Sequence, residues 1–401
     1  MDIMDHSRRT PAPGCVLLMW EQFGAYHLDR LAAMARAFEG QLDVVGLEVA
    51  SRSSTYAWDP IEDPQPFIRQ TLFPDTVAET LPWWRKFSAA FRAIRAAKPR
   101  AVFLCNQEQP EILLLLPLLR LLGIPAFAML DAKFDDTPRR VMKEIWKQVV
   151  FRLYRGGLVA GSRHADYYRF LGMPQNWSRP GYDTVSVARI RAAAGLAPAP
   201  RGVAHGERDF VVVARFVPKK NIFLAIRAFA HFRKMPSAHD RRLVLCGSGA
   251  LEPQLRALVA ELGVVSHVDF TGFLMPDSIC QQLARSLALI LPSVEEQWGL
   301  VVNEAVALGL PVLCSDNVGA RDTLVRVGVN GFVFEPDNDV GLARLMHLLS
   351  EDEQLWRDFA EGSLRLAPAG DVAEFVRGVG DLIRLPAMYH SREITRAPQF
   401  A

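Results

Sequence analysis

Cysteine is scarce in this chain and nowhere paired. Cys15, Cys105, Cys246, Cys280 and Cys314 lie far apart, and none stands in a CxxC spacing. An odd number of thiols, four of them in or beside apolar stretches, excludes a disulfide framework and reads as buried reduced cysteine of a cytoplasmic protein. Long hydrophobic runs are missing as well. The nearest approach, residues 112–124, contains Arg120 and is too short to cross a bilayer, so it reads as a buried helix. Met1 to Gly14 is polar and lacks the apolar centre of a secretory signal. Nor is there an excess of one charge. Lys and Arg number 46 against 44 Asp and Glu, a formal charge of +2, which removes the global field that bulk nucleic-acid binding needs. No closely spaced His and Asp side chains offer a metal-ligand cluster, and no short repeat recurs.

What remains is a globular composition, 50% hydrophobic and 22% charged over 401 residues, long enough for two domains. Short apolar runs alternate with helix-length periodic segments. Strands are expected at residues 16–20, 43–49, 101–104, 124–130 and 158–160, with helices near 27–38, 111–122 and 162–171. The stretch Ala192-Ala193-Ala194-Gly195-Leu196-Ala197-Pro198-Ala199-Pro200 is rich in small residues and proline and marks a connection. A second series follows, with strands at 210–214, 242–246, 268–271, 287–291, 312–315 and 331–334. The expected division is residues 1–185, a linker at 186–208, residues 209–383, and a tail at 384–401 that packs back on the first domain. The fold class is α/β, two doubly wound Rossmann-like domains facing each other across a cleft where such sheets bind ligands.

Two constellations carry chemistry. Between Pro292 and Pro311, Glu296 and Glu304 stand eight apart and straddle Gly299 as a helix begins. The amides of Gly299, Leu300 and Val301 are then free for a phosphate or sugar hydroxyls, and Glu304 can accept from a vicinal diol such as ribose. Alternatively, both glutamates merely complement the positive end of the helix. In Ala214-Arg215-Phe216-Val217-Pro218-Lys219-Lys220-Asn221, after a strand, Arg215 and Lys220 can hold a pyrophosphate, or belong to a solvated basic loop.

Arg215 and Lys220, Cys246-Gly247-Ser248-Gly249, Val268 to Phe273, Glu296 and Glu304, Gly309-Leu310-Pro311-Val312 and Val329 to Phe334 follow one another in an order and spacing that resembles the family 4 retaining glycosyltransferases of the GT-B fold, the glycosyl transferases of group 1. The resemblance covers residues 208–345. It implies that residues 209–383 bind a nucleotide diphosphate sugar, UDP- or GDP-linked, with no metal and no cofactor. Arg215 and Lys220 would contact the donor phosphates, Glu296 the donor sugar, the amides of Gly299 and Leu300 the diphosphate, and Glu304 the ribose; Gly247 belongs to the donor-binding set. Residues 1–185 would face the acceptor. There Gly24, in Trp20 to His27, matches the family's glycine-bearing loop, with one glycine where a pair is common, and Tyr182-Asp183 resembles its Gly-Val-Asp segment. Where many members carry a histidine near the donor sugar, this chain has Asn106-Gln107-Glu108-Gln109 and, after the next strand, Asp131 to Asp136. Asp131 is the candidate for a sugar or acceptor contact. His27 is either an acceptor-side base or structural, and Asp135, Asp136, Arg139 and Arg140 form either an acceptor loop or a solvated one.

Trp83 to Arg100 carries six basic and no acidic side chains, and Arg139 to Arg155 six basic residues with Glu144 alone. Such helices suit an anionic membrane surface or simply a solvated face. The expected activity is retaining hexosyl transfer (EC 2.4) to a carbohydrate or lipid-linked hydroxyl in cell-envelope polysaccharide, glycolipid or glycoconjugate synthesis, in the cytoplasm or peripheral on the inner face of the membrane. A nucleotide-sugar epimerase and a silent nucleotide-sugar-binding subunit are the alternatives.

Overall fold

The computed structural model describes residues 14–54, 65–236 and 240–384. The tail read at 384–401 lies outside them after Arg384. The first half runs β1 (Cys15–Trp20), α1 (Ala25–Ala37), β2 (Asp43–Arg52), β3 (Ile68–Val77), α2 (Trp83–Ala97), β4 (Ala101–Leu104) and α3 (Pro110–Leu121). It continues through β5 (Ala126–Leu130), α4 (Val141–Phe151), β6 (Gly156–Val159), α5 (Ser162–Phe170) and β7 (Ser178–Pro180). After α6 (Val187–Ala194) the second half holds β8 (Asp209–Val213), α7 (Ile222–Phe232), β9 (Leu243–Cys246), α8 (Glu252–Glu261), β10 (Val268–Gly272) and α9 (Pro276–Arg285). Then come β11 (Ser286–Leu291), α10 (Leu300–Ala307), β12 (Val312–Ser315), α11 (Arg321–Leu324), β13 (Gly331–Phe334), α12 (Asp339–Glu351), α13 (Glu353–Leu366) and α14 (Val372–Ile383).

The strands form two sheets, one ordered β3-β2-β1-β4-β5-β6-β7 and the other β10-β9-β8-β11-β12-β13. The pairs are parallel, as between β1 and β4 and between β8 and β11. Runs such as Val16-Leu17-Leu18 and Leu287 to Leu291 are buried on both sides, which is why they read as uninterrupted apolar stretches rather than alternating ones. On one face of the first sheet, α2, α3, α4 and α5 share a core that includes Ala90, Leu115, Val150 and Tyr168. The other face is covered by α1 and α14 through Leu31, Phe375 and Val379. No helix among the described residues is long and apolar enough to cross a membrane.

Two passages connect the halves. The connection read at 186–208 opens with α6, whose first turn is capped by the Ser186 hydroxyl accepting from the Arg189 amide at 3.2 Å, and which takes in Ala192 to Ala194 of the small-residue run before ending at Gly195 with φ 65°. The second passage leads from α13 into α14, which returns to the first sheet. Gly378 allows that docking: a Cβ there would stand 2.5 Å from Leu158 Cδ1. The passages run side by side, the Val185 amide donating to Gly370 O and the Val372 amide to Val185 O, each at 3.0 Å. They form one strap.

Candidate functional site

The second-half loops converge as the sequence order suggests. After β8, the turn Pro218–Lys220 leads into Asn221, which adopts φ 50° at the start of α7 and is pinned there by its amide donating to Pro336 O at 2.7 Å. This turn is stapled to the loop after β11. Lys220 Nζ contacts Glu296 Oε2, Ser293 Oγ donates to the same oxygen at 3.0 Å, and the Val294 amide donates to Lys219 O at 2.9 Å. Gly299, at φ 99°, turns the chain into α10, so Leu300 and Val301 present their amides at the helix start with no carbonyl one turn back. Gly247 follows β9 at φ 145°, and a Cβ there would meet Ala214 O at 1.9 Å, holding the β8 and β9 loops against each other. Arg215 is exposed, and while its carbonyl accepts from the Val217 amide at 2.9 Å, its guanidinium makes no hydrogen bond or ion pair with a described residue.

Glu304 is elsewhere engaged. It is buried on α10, and the Tyr26 hydroxyl of α1 donates to its Oε1 at 2.6 Å. Burial raises the Glu304 pKa while that hydrogen bond holds it down. The same seam is closed by His164 Nε2 on Gln297 O at 2.9 Å, and by Arg163, which donates to Asp322 at 2.5 Å and to Val318 O at 2.7 Å. Asn303 receives the Trp298 indole N–H at 2.8 Å and donates to Asp183 O at 3.0 Å and Gly370 O at 3.1 Å.

Between the halves lies a cavity of about 510 Å³, walled mostly by the first half, with Gln297 and Leu300 from the second. Its polar side includes His27, Arg30, Asn106, Asp131 and Asp183. His27 Nδ1 accepts the Gly24 amide at 3.0 Å, and its ring lies 4.9 Å from that of Trp20. Burial, then Arg30, pushes its pKa well below the usual value, so the imidazole is neutral. Burial raises Asp131, and burial together with the Asp131 charge raises Asp183 to about 8, against the pull of Arg30. Arg30 Nη2 is 3.6 Å from Asp183 Oδ1 and its Nε donates to Thr184 O at 3.0 Å, while Asp183 Oδ2 is buried without a hydrogen-bond partner.

Thus the structure brings together Lys220, Glu296, Gly299 and Leu300, with Asp131, His27, Gln297 and Leu300 at one cavity. Lys220, Glu296, Arg215 and Glu304 are not among the cavity's lining residues. Asp135, Asp136 and Arg139 also stand outside its lining. Asp136 accepts from Lys133 Nζ at 2.6 Å, Asp135 pairs with Arg163 at 3.1 Å, and Arg139 Nε donates to Phe134 O at 2.6 Å. Sequence reasoning did not single out Tyr26, Arg30 or Gln297. Gln297, next to Glu296, and Tyr26, next to His27, carried a usable signal of position; Arg30 carried none.

Residues 197–365 match the family described as glycosyl transferases group 1. An uncharacterised glycosyltransferase of Methanocaldococcus jannaschii is 34% identical over 142 residues, 35% of each chain. The putative glycosyltransferase EpsD of Bacillus subtilis is 30% identical over 229 residues, 54% of this chain and 58% of that one. The matches thus span about a third and somewhat over half of these relatives. Among solved structures, Anabaena HepE in complex with UDP and glucose superposes with a TM-score of 0.69 at 16% identity, over 92% of this chain and 99% of that one. The shared fold is GT-B, two Rossmann-like units across a cleft.

Proposed function

We infer that this chain, a group 1 glycosyl transferase over residues 197–365, transfers a sugar from a nucleotide diphosphate donor to an acceptor hydroxyl with retention of configuration and without a metal. The contact of Lys220 with Glu296, beside the start of α10, carries this reading. It sets a cation, a carboxylate and unpaired amides at one spot, the set a sugar diphosphate requires. Arg215, exposed on the same loop, closes on the phosphates, and Lys220 follows them. Glu296 is released to the donor sugar, and Glu304 exchanges the Tyr26 hydroxyl for those of the ribose. The acceptor oxygen bonds to the sugar's C1 on the face the diphosphate leaves, and its proton passes to the departing phosphate oxygen. Asp131 orients that acceptor. The UDP complex of HepE favours a UDP-sugar over a GDP-sugar. Cell-envelope polysaccharide or glycolipid assembly at the inner face of the cytoplasmic membrane is the proposed setting.

Lys220→Ala tests the assignment. Removing a charged donor from a leaving diphosphate costs about 10²–10³ in kcat. Turnover of UDP-glucose with a mixed sugar and lipid acceptor extract is expected to fall by that factor, while the melting temperature stays within a few degrees. Wild-type turnover at saturating donor would remove Lys220 from the reaction.

A further inference from the structure

We propose that the outward face of α4 seats the hydrocarbon part of a membrane-embedded, lipid-linked acceptor, and that Trp146 joins this seat to the cleft cavity. Helix geometry, about 100° per residue, puts Val141, Met142, Ile145, Trp146 and Val149 within about 140° of one another around α4. A helix on a soluble surface turns such a stripe to the core. Here it faces out: Val141 and Met142 are 75% and 76% exposed, and Val149 61%. The inner side of α4 holds Glu144, Lys147, Val150 and Phe151 instead, all buried. These charges are paired, Tyr167 Oη donating to Glu144 at 2.7 Å and Lys147 Nζ standing 3.0 Å from Glu108. The docked side of the helix is therefore complete without the stripe. Phe134 and Phe170, their rings 5.7 Å apart edge to face and both exposed, enlarge the apolar surface. Contiguous apolar patches of this kind mark interaction sites.

Two observations select the occupant. Arg140, Lys143 and Arg169 are exposed on the approach to α4, on α4 and on α5 respectively, with Lys143 paired to Glu108 at 2.8 Å and Arg169 to Asp166 at 3.1 Å. A second copy would bring the same cations together, whereas anionic lipid headgroups complement them. Trp146, 43% exposed on the stripe, is also a wall of the cavity, beside Val150, Phe151, Tyr168 and Leu171. The cavity thus runs from carboxylates and amides at Asp131, Asp183 and Asn106 to an apolar wall that continues onto the outer surface. That gradient matches an amphiphile, its hydroxyl-bearing head near Asp131 and its hydrocarbon leaving past Trp146 into the bilayer. A free sugar would leave that wall unused. The word acceptor rests on the transfer reading; the lipid seat does not.

The test uses the full chain, vesicles of phosphatidylcholine with about a third phosphatidylglycerol, and UDP. Wild type is expected to float with the vesicles, and a variant carrying Met142→Ser, Ile145→Ser and Val149→Ser to lose about tenfold or more in partitioning. Both should keep the same melting temperature and the same shift of it with UDP. Acyl-brominated lipid should quench wild-type tryptophan fluorescence, and Trp146→Phe should float normally with part of that quenching gone. Equal flotation of wild type and the serine variant would overturn the seat. Unchanged quenching in Trp146→Phe would overturn the junction. A wild-type dimer that the serine variant converts to monomer, by light scattering, would assign the face to a second copy and also overturn the proposal. Absence of a UDP shift in a floating wild type would instead sink the transfer reading, and with it the identification of the lipid as acceptor.

Discussion

Asp183 shows how burial in the cavity keeps the proton on a single carboxyl. It is buried, its Oδ2 has no hydrogen-bond partner, and Arg30 stands at 3.6 Å, beyond hydrogen-bonding distance. Desolvation and the Asp131 charge outweigh that cation, and the carboxyl is raised to about 8. The folded state therefore holds a proton that the unfolded chain has released. Between the ordinary carboxylate range and about pH 8, stability falls as pH rises, by at most about 1.4 kcal/mol per unit for one proton. Asp183→Asn, which keeps the shape and removes the titration, should flatten this slope in urea unfolding measured from pH 5 to pH 8. A slope identical to wild type would place the responsible proton elsewhere, on Asp131 first.

Among elements, the loops at the ends of β8 and β9 are held against each other by backbone approach at Gly247. Gly247→Ala forces a Cβ to 1.9 Å from Ala214 O at φ 145°. We expect a loss of about 2–3 kcal/mol in thermal or urea unfolding, together with weaker UDP binding as the Arg215–Lys220 turn moves. The elements themselves were legible to differing degrees for physical reasons. Central parallel strands such as β1, β8 and β11 are buried on both sides, so their runs of Val, Leu and Ile announced them, and the turns at Gly299 and Lys220 stood out because they interrupt such runs. β3 did not stand out. It is an edge strand, only partly buried, with Pro74 and Asp75 within it, and it lacks the run that two-sided burial produces. Within the connection, the helical form of α6 was not legible because its small residues pack against α9 without an apolar stripe of large side chains. Periodicity gave α4 a face but not the direction in which it looks. The seam beside the cavity was the least visible feature, since its partners meet only on folding: Tyr26 and Glu304 are 278 residues apart.

In the whole molecule, the position of α14 overrides chain order. It follows α13 of the second sheet, yet Phe375, Val376, Val379, Leu382 and Ile383 are buried, largely against the first. Burying five such side chains is worth about 1.5–3 kcal/mol each, a total of the order of the entire stability of a domain. A chain ending at Asp371 is expected to be insoluble or to bind a hydrophobic dye at temperatures where the full chain does not, measured by dye fluorescence during heating. Intact two-state melting of the truncated chain would show that the first sheet needs no such cover.

The strap formed by Val185 and Val372 also decides how the halves can swing. With both crossings bonded side by side, any parting of the halves would turn about this one line. Asp183 sits next to that line, held through Asn303 to Gly370, so the carboxylate end of the cleft barely changes as the halves part. Displacement grows with distance from the pivot, as along a lever, and entry and exit of large ligands therefore fall to the opposite rim.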